Sequence, residues 1–237
     1  MNGEAFIRTE QLLGEVAMKR LAAARVAIFG IGGVGGYVAE ALARCGVGSL
    51  DLFDNDVVSE SNLNRQIIAL HSTIGAYKVD VMQARIADIC PDTQVKTYRC
   101  FYMPDNADLY PFSAYDYIVD AVDTVTAKLT IIERAKAADI PVISCMGTGN
   151  KLDASKLKIT DITKTETCPL ARVMRKELRD RGIDHVKVLY SSESPQKPKT
   201  ENVDKTGKQP PASIAFVPAT AGLLIAGEVI RDLIAIT

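Results

Sequence analysis

The amino-acid sequence predicts an α/β protein built around a mostly parallel sheet, and three observations carry this prediction. Short apolar segments typical of buried strands alternate with amphipathic helical segments through roughly the first 150 residues. A glycine-rich turn joins the first of these strands to the helix that follows it. Aspartates close the second and fourth apolar segments, at the positions where strands of an open sheet end and ligands bind.

The predicted elements follow one another in a regular order. A short amphipathic helix comes first, from Leu12 to Leu21. Predicted strands then cover residues 25–30, 49–54, 93–99, 115–120 and 140–145, and predicted helices cover residues 35–45, 75–90 and 124–138. Because parallel strands need a crossover connection between them, this alternation indicates a doubly wound sheet.

The alternation ends after Gly147, and the rest of the chain is expected to form a C-terminal extension of mixed strands and helices. The extension contains a predicted strand (157–162), a helix (169–181), a strand (186–191), an exposed loop (192–211), a buried strand (213–217) and a final core helix. Residues 209–227 carry no charge and nearly reach the length of a membrane span, but prolines and glycines interrupt them and charged residues follow. We therefore expect no membrane segment.

The composition is that of a globular protein in a reducing compartment. The chain has 237 residues, a formal net charge of -1, 47% hydrophobic and 24% charged residues, which excludes a wholly disordered chain. Its five cysteines form no C-x-x-C pair, which argues against a disulfide framework and against structural zinc. The first residues form no apolar leader, so a cytoplasmic location is expected. Cys45, Cys90, Cys100 and Cys145 are expected in the core, and His71 and His185 are expected to bind no metal.

The glycine-rich turn predicts a nucleotide site. Gly30, Gly32 and Gly35 form a G-x-G-x-x-G pattern between a strand and a helix, and Gly33 adds a further glycine. Such a turn brings backbone N–H groups close to phosphates, and the helix N-terminus favours their negative charge. Asp54 ends the second strand, where an acidic residue can hold ribose hydroxyls. At this point NAD and ATP are both compatible with the pattern.

Polar residues further along favour ATP over NAD. A dinucleotide has one pyrophosphate, which the glycine turn already meets, whereas a triphosphate needs additional cations. Arg65 and Lys78 supply two, and Asp123 after the fourth strand suits Mg²⁺, which binds through carboxylates and phosphate oxygens. Taken singly, Arg65 and Lys78 could be solvated surface residues and Asp123 could cap the next helix.

Together these motifs resemble the ubiquitin-activating-like adenylating enzymes, the ThiF/MoeB superfamily. The resemblance rests on Gly30-Ile-Gly-Gly-Val-Gly35, Asp54-x-Asp56, Asn62-x-x-Arg65-Gln66, Lys78 and Asp120-x-x-Asp123. It covers residues 6–149 and extends more loosely to the C-terminal helix. It implies a Rossmann-like fold in a single ThiF-like adenylation domain of residues 1–237. Residues 1–150 would form its ATP-binding half, and residues 151–237 its basic substrate-facing half and C-terminal helix.

The resemblance also implies roles for individual residues. Asp54 would hold the ATP ribose, Arg65 and Lys78 the phosphates, and Asp123 would organise Mg²⁺. Arg8 matches an arginine that such enzymes extend across a dimer interface, which implies a homodimer. The implied catalytic residues are Arg8, Arg65, Lys78 and Asp123, and the implied ATP-binding residues are Gly30, Gly32, Gly33, Gly35, Asp54, Asp56, Asn62, Arg65, Gln66 and Lys78.

Two branches of the superfamily differ in the carboxylate that they activate. The sulfur-carrier branch adenylates the C-terminus of a ubiquitin-like protein, and its members usually carry two C-x-x-C zinc pairs that this chain lacks. The residues similar instead to the branch that dehydrates threonylcarbamoyladenosine in tRNA are 6–14, 29–35, 39–44 and 161–172. That branch forms an acyl-adenylate and closes a ring with release of AMP. A ubiquitin-like or sulfur-transfer partner remains the alternative, and an NAD-dependent oxidoreductase or a non-catalytic scaffold ranks lower.

A basic segment bears on the choice of substrate. Residues 151–208 contain half of the 28 Lys and Arg residues of the chain. Five of them lie on one predicted helix: Arg172, Arg175, Lys176, Arg179 and Arg181, of which the first four are the candidate contacts to a polyanion. Charge alone is equally compatible with a solvated helix face and with a polyanion-binding surface. The resemblance favours the second interpretation, with tRNA as the polyanion.

Cys168 is open to two interpretations. It precedes Pro169 at the start of the predicted helix, and a helix N-terminus near Arg172 would lower a thiol pKa and favour a nucleophilic thiolate. Ring closure needs no enzyme nucleophile, however. We therefore favour a structural role for Cys168 and keep a nucleophile as the alternative.

Overall fold

A computed structural model describes residues 3–200 and 210–235. Its strands are β1 (Arg25–Phe29), β2 (Ser49–Phe53), β3 (Gln94–Tyr98), β4 (Tyr117–Asp120), β5 (Val142–Cys145), β6 (Leu157–Asp161) and β7 (Lys187–Ser191). Its α-helices are α1 (Gly3–Leu13), α2 (Glu15–Ala23), α3 (Gly35–Arg44), α4 (Lys78–Ile89), α5 (Val125–Ala137), α6 (Pro169–Asp180) and α7 (Phe216–Ala235). The ten elements predicted from residue 25 to residue 181 and the strand β7 are confirmed, with ends that move by a few residues.

The seven strands form one sheet in the order β3-β2-β1-β4-β5-β7-β6. Neighbouring strands are parallel except for β6, which pairs antiparallel with β7. The predicted mostly parallel α/β sheet with a mixed C-terminal extension is therefore confirmed. From β1 the strand order runs to β2 and β3 on one side and to β4 and β5 on the other. Where the order changes direction, between β1 and β4, a crevice forms at the carboxyl ends of the strands.

Both faces of the sheet are covered. In β1, Val26 and Ile28 belong to an apolar cluster on one face, while Ala27 and Phe29 belong to a second cluster on the other. The second cluster is rich in aromatic side chains, and the rings of Phe29 and Phe53 stack with centroids 4.3 Å apart. Burial on both faces explains why these strands are continuous apolar runs rather than alternating ones.

The single helix predicted from Leu12 to Leu21 is wrong. The chain forms two helices there, α1 and α2, which Gly14 separates with a φ of 83°. Glycine adopts this left-handed conformation without the steric cost that other residues pay, so it ends α1. Leu12 and Val16 are exposed whereas Leu21 is buried, so the apolar residues of the predicted helix do not share one buried face.

The strand predicted at residues 213–217 is also wrong. Residues 211–215 form no regular element, and α7 begins at Phe216 with Pro218 in its first turn, where a missing N–H costs nothing. The exposed loop predicted at residues 192–211 lies partly outside the described residues. None of the helices in the two described ranges combines the length and hydropathy that a membrane crossing requires.

Helix α7 packs against α3. A Cβ atom added at Gly222 would lie 2.5 Å from the Val34 carbonyl oxygen, so only glycine allows this approach. Val217, Ala221 and Ile225 on α7 belong to the same apolar cluster as Val26 of β1. Helix α7, at the end of the chain, therefore completes the apolar core on one face of the sheet.

Candidate functional site

A cleft of about 440 Å³ lies over the carboxyl ends of β1, β2 and β4. It brings together ten of the residues that the sequence predicts for the site: Gly30, Gly32, Gly33, Asp54, Asp56, Asn62, Arg65, Gln66, Lys78 and Asp123. These residues come from separate parts of the chain and meet because parallel strands end at one edge of the sheet. Gly35 and Arg8 do not line the cleft.

The glycines of the glycine-rich loop have two different roles. Gly30 has a φ of 88°, and a Cβ atom there would lie 2.7 Å from the Ala121 carbonyl oxygen. Gly35 opens α3, and its Cβ would lie 1.8 Å from the Gly30 carbonyl oxygen. Gly30 and Gly35 therefore fix the turn between β1 and α3, while Gly32 and Gly33 face the cleft.

Asp54 connects the end of β2 to the glycine loop. Its Oδ2 accepts the N–H of Ile31 at 2.7 Å, and its Oδ1 accepts the N–H of Asp56 at 2.8 Å. Burial raises the pKa of Asp54, while nearby Lys78 opposes that rise. Each carboxylate oxygen has two lone pairs, so Asp54 can still accept hydrogen bonds from ligand hydroxyls.

Two buried side chains in the cleft wall have polar atoms without a hydrogen-bond partner among the described residues. They are Oε1 of Gln66 and the hydroxyl of Tyr102. Burial also raises the pKa of Tyr102, which keeps its hydroxyl protonated. Buried polar atoms are normally paired, so these two are suited to a ligand or to water. Asn62 differs, because its Oδ1 accepts the N–H of Ser59 and shapes the loop.

Two cations, Arg65 and Lys78, line the cleft. Lys78 begins α4, and its side chain is nearly buried with Nζ 2.7 Å from Oδ2 of Asp56. Arg65 is half-buried and donates to the Ser61 carbonyl and to the Asn64 side chain, both at 2.9 Å. Both cations are held in place and keep N–H donors free for a ligand.

Asp120 and Asp123 have different roles. The Asp120 carboxylate is fully buried, 3.0 Å from the ammonium of Lys128, and also accepts the Ser144 hydroxyl. Asp123 lies exposed at the cleft and accepts one hydrogen bond from the Thr124 hydroxyl at 3.3 Å. The capping position of α5 belongs to Thr124, so the alternative role of Asp123 as a helix cap is not observed. Its carboxylate remains accessible to a cation.

A second cleft of about 360 Å³ adjoins the first. Asp123 and Thr148 lie in the walls of both clefts. The remaining walls include Met146, Gly147, Lys151, Cys168, Leu170 and Pro211. This cleft was not predicted from the sequence, although Gly147-Thr-Gly149 directly after β5 is a signal that could have indicated it.

Cys168 lies in this second cleft rather than beside the glycine loop. It is buried at the capping position of α6, and Pro169 is the first residue of that helix. A Cβ atom on Gly147 would lie 3.8 Å from its sulfur, which is ordinary packing distance. Cys90 and Cys145 are buried as predicted, whereas Cys45 and Cys100 are only half-buried.

The basic residues of α6 are not equivalent. Arg172, Lys176 and Arg179 are exposed. Arg175 is partly buried and donates to the carbonyl and to the hydroxyl of Thr165, both at 2.7 Å. Arg175 therefore differs from the other three cations, because its guanidinium is bonded to the segment that precedes the helix.

Arg8 lies exposed on α1 and does not line the cleft of its own chain. His185 contacts Asp161, with Nδ1 3.3 Å from Oδ2, and His71 is exposed. Within residues 3–200 and 210–235, no group of three or more His, Cys, Asp or Glu residues is arranged to hold a metal ion by itself.

Known proteins match this chain over nearly its whole length. The ThiF family matches residues 7–236. A tRNA threonylcarbamoyladenosine dehydratase of Bacillus subtilis (strain 168) is 42% identical over 239 residues, which span 97% of this chain and 94% of the relative. The crystal structure of an Escherichia coli tRNA N6-threonylcarbamoyladenosine dehydratase in complex with AMP has a TM-score of 0.90 and 33% identity. The same enzyme in complex with ATP has a TM-score of 0.89 at 33% identity, and each of these matches covers 98% of this chain and 95% of the other.

Proposed function

The chain belongs to the ThiF family, and from that premise we propose that it is an ATP-dependent dehydratase of threonylcarbamoyladenosine in tRNA. One observation carries the proposal. A chain that is 42% identical to a tRNA threonylcarbamoyladenosine dehydratase along nearly its full length gathers nine predicted ATP-binding residues and the predicted Mg²⁺ ligand Asp123 in one cleft. The proposed reaction converts the modified nucleoside into its cyclic form and releases AMP and pyrophosphate.

ATP occupies the first cleft in this proposal. Its phosphates lie against Gly32, Gly33 and the N-terminus of α3, where backbone N–H groups favour negative charge. Asp54 accepts the ribose hydroxyls with its remaining lone pairs. The adenine lies at the apolar part of the wall near Phe101 and Tyr102.

The donor set also fits Mg²⁺. Asp123 provides an accessible carboxylate at the cleft, and Mg²⁺ commonly binds one or two carboxylates together with phosphate oxygens. A cation held there neutralises phosphate charge when it is bound. Asp120 is unsuited to this role because Lys128 and Ser144 already occupy its carboxylate.

The chemistry proceeds in two steps. A threonyl carboxylate oxygen attacks the α-phosphorus, and the bond to the β-phosphate oxygen breaks to release pyrophosphate. Arg65 and Lys78 stabilise the negative charge that develops on the phosphates. The carbamoyl group then attacks the acyl carbon, loses a proton and displaces AMP, which closes the ring. No enzyme nucleophile is required, so Cys168 has a structural role in this proposal.

Further parts of the proposal concern the assembly. The enzyme is a single-domain cytoplasmic homodimer in which Arg8 contributes to the partner's ATP site. The exposed cations Arg172, Lys176 and Arg179 contact tRNA phosphates. A sulfur-carrier substrate is less well supported, because the chain lacks the C-x-x-C zinc pairs typical of that branch.

The proposal is tested with purified protein, Mg·ATP and tRNA carrying threonylcarbamoyladenosine. After digestion of the tRNA, mass spectrometry is expected to detect the nucleoside less one water, with an equal amount of AMP. Unmodified tRNA is the matched control and should yield no AMP. Conversion of ATP that depends on a ubiquitin-like protein, without the dehydrated nucleoside, would instead support the sulfur-carrier alternative.

A further inference from the structure

Lys151 is a buried cation in the wall of the second cleft. Its side chain is nearly inaccessible, and its Nζ donates to the backbone carbonyl of Glu193. An ammonium group has three N–H donors, and across the described residues no other acceptor and no ion-paired carboxylate engages it. The Glu193 carboxylate is itself occupied by the N–H groups of Leu152 and Asp153. A buried ammonium group with unpaired N–H donors costs folding free energy unless a ligand accepts hydrogen bonds from it.

The walls of the second cleft are held firmly. Asn150 has a φ of 58°, and its side chain and backbone bond to the backbone of Ala212, at 2.8 and 2.7 Å. Thr167, directly before Cys168, has a φ of 59°. Non-glycine residues in this region of backbone space carry strain, which persists only where the surroundings enforce it. Both walls are therefore fixed in conformations that the chain would otherwise avoid.

The position of the second cleft relative to the first is equally informative. Asp123 and Thr148 lie in both walls, so a group in the second cleft can meet a nucleotide in the first. Met146, Leu170 and Pro211 provide an apolar surface, and Lys151 provides a positive charge. The volume of about 360 Å³ is typical of a small-molecule site, for which the range is roughly 300–1,000 Å³. The chemistry that fits is a small anionic group attached to an apolar ring.

We propose that the second cleft receives the threonylcarbamoyl group of the modified adenosine, and that Lys151 pairs with its carboxylate and directs it toward the α-phosphate. This inference rests on the function proposed above, because the threonylcarbamoyl group is the acceptor only if that function holds. Lys151 is then the residue that distinguishes modified from unmodified adenosine. Burial lowers the pKa of Lys151, and the nearby charge of Glu193 acts against this effect; a bound carboxylate would oppose it further.

The test compares two anticodon stem-loop RNAs, one with threonylcarbamoyladenosine and one with adenosine. Their affinities are measured with a non-hydrolysable ATP analogue present, and turnover is measured with ATP. Wild type is expected to prefer the modified RNA. Lys151→Met is expected to lose about 30-fold or more of that preference and to raise KM for the modified RNA, with ATP-analogue affinity unchanged. Lys151→Gln, which keeps a donor without the charge, should fall between them.

Gly147→Ala provides an independent variant. Its added methyl group meets Cys168 and Leu170 at 3.8 Å, so the fold can accept it while the cleft becomes smaller. It should raise KM for the modified RNA and leave ATP-analogue affinity unchanged. Lys96→Met, at an exposed position on β3, is the matched control and should behave like wild type. Thermal unfolding of every variant identifies any that fail to fold, and Gly147→Ala then carries the test.

The outcomes separate this inference from the proposed function. If wild type converts the modified RNA but Lys151→Met and Gly147→Ala keep its full preference and KM, the acceptor site lies elsewhere and the inference is overturned. If wild type itself fails to convert the modified RNA, the proposed function fails, and the inference fails with it.

Discussion

The ammonium of Lys128 lies 3.0 Å from the carboxylate of Asp120, and neither side chain is accessible to solvent. Lys128 Nζ also donates to the Cys145 carbonyl at 2.6 Å, and the Ser144 hydroxyl donates to Asp120. The pair therefore joins the carboxyl ends of β4 and β5. These ends carry Asp123 and the Gly147 turn, which form the boundary between the two clefts.

Lys128→Met is expected to destabilise the protein by about 3–5 kcal/mol, because it leaves the Asp120 carboxylate buried without its partner. Urea unfolding followed by circular dichroism measures the change. The double variant Asp120→Asn/Lys128→Met removes both charges and should recover much of the loss. Equal stability of Lys128→Met and wild type would show that the pair does not hold the two strand ends.

Arg65→Gln and Lys78→Gln are each expected to lower the rate of AMP formation by about 10²–10³, since each removes charge stabilisation at the phosphates. Lys96→Gln, on an exposed face of β3, is the control for loss of a lysine charge. Single-turnover assays at saturating ATP separate the effect on chemistry from that on binding. Near-normal rates for either variant would remove that residue from the proposed phosphate site.

Asp123→Asn is expected to raise the Mg²⁺ concentration needed for half-maximal activity, because an amide is a weaker ligand than a carboxylate. ATP binding measured without Mg²⁺ should change little. Asp105→Asn, at an exposed position outside the cleft lining, is the matched control. An unchanged Mg²⁺ requirement in Asp123→Asn would contradict the proposed metal role.

The cations of α6 should separate into two groups. Replacing Arg172, Lys176 and Arg179 together by Gln is expected to weaken tRNA binding and to reduce the slope of log K against log salt by about one per lost phosphate contact. Arg175→Gln should instead lower the unfolding midpoint, because it removes the two bonds to Thr165. If Arg175→Gln alone changes the salt slope, its guanidinium reaches tRNA despite those bonds.

Glu228→Gln should alter how stability depends on pH. The hydrogen bond from Lys187 lowers the pKa of Glu228 from its usual 4.5, while burial acts against that effect. A lowered pKa means that ionised Glu228 stabilises the fold above about pH 4.5, and that this contribution disappears as the pH falls through the lowered value.

At neutral pH, Glu228→Gln is therefore expected to be less stable by about 1 kcal/mol, a modest figure because Lys187 is partly exposed. Its stability should also decline less than that of wild type on acidification. Denaturant unfolding from pH 3 to 7 measures both effects, with the exposed Glu166→Gln as control. Parallel pH profiles for Glu228→Gln and wild type would contradict this assignment.

The meeting of Asp54 and Asp123 at one cleft could be predicted from the sequence because it follows from a rule of topology, whereas the ATP-binding roles came from the family resemblance. Strands that alternate with helices become parallel, and parallel strands end at the same edge. Asp54 and Asp123 were therefore expected together although they lie far apart in the chain. Lys78 lies in the same cleft because it is the first residue of α4, where its ammonium pairs with the carboxylate of Asp56.

Other features depend on contacts that no local pattern encodes. Nothing in the sequence of its helix marks Lys128 as buried. The burial is compensated by the Asp120 carboxylate and the Cys145 carbonyl, which lie elsewhere in the chain. The left-handed Gly14 divides a segment whose apolar spacing suits one helix. Arg175 resembles its basic neighbours in sequence and differs only through Thr165.

The packing of α7 on α3 has a consequence for how the protein is made. Synthesis on the ribosome delivers the glycine loop and α3 early, whereas Gly222 and the apolar face of α7 emerge last. The nascent chain therefore carries an uncovered patch around Val34 and Val38 until translation is nearly finished. A premature stop codon that removes only the last helix would leave all ten predicted residues of the first cleft encoded, yet yield a chain without the packing partner of its glycine loop and α3.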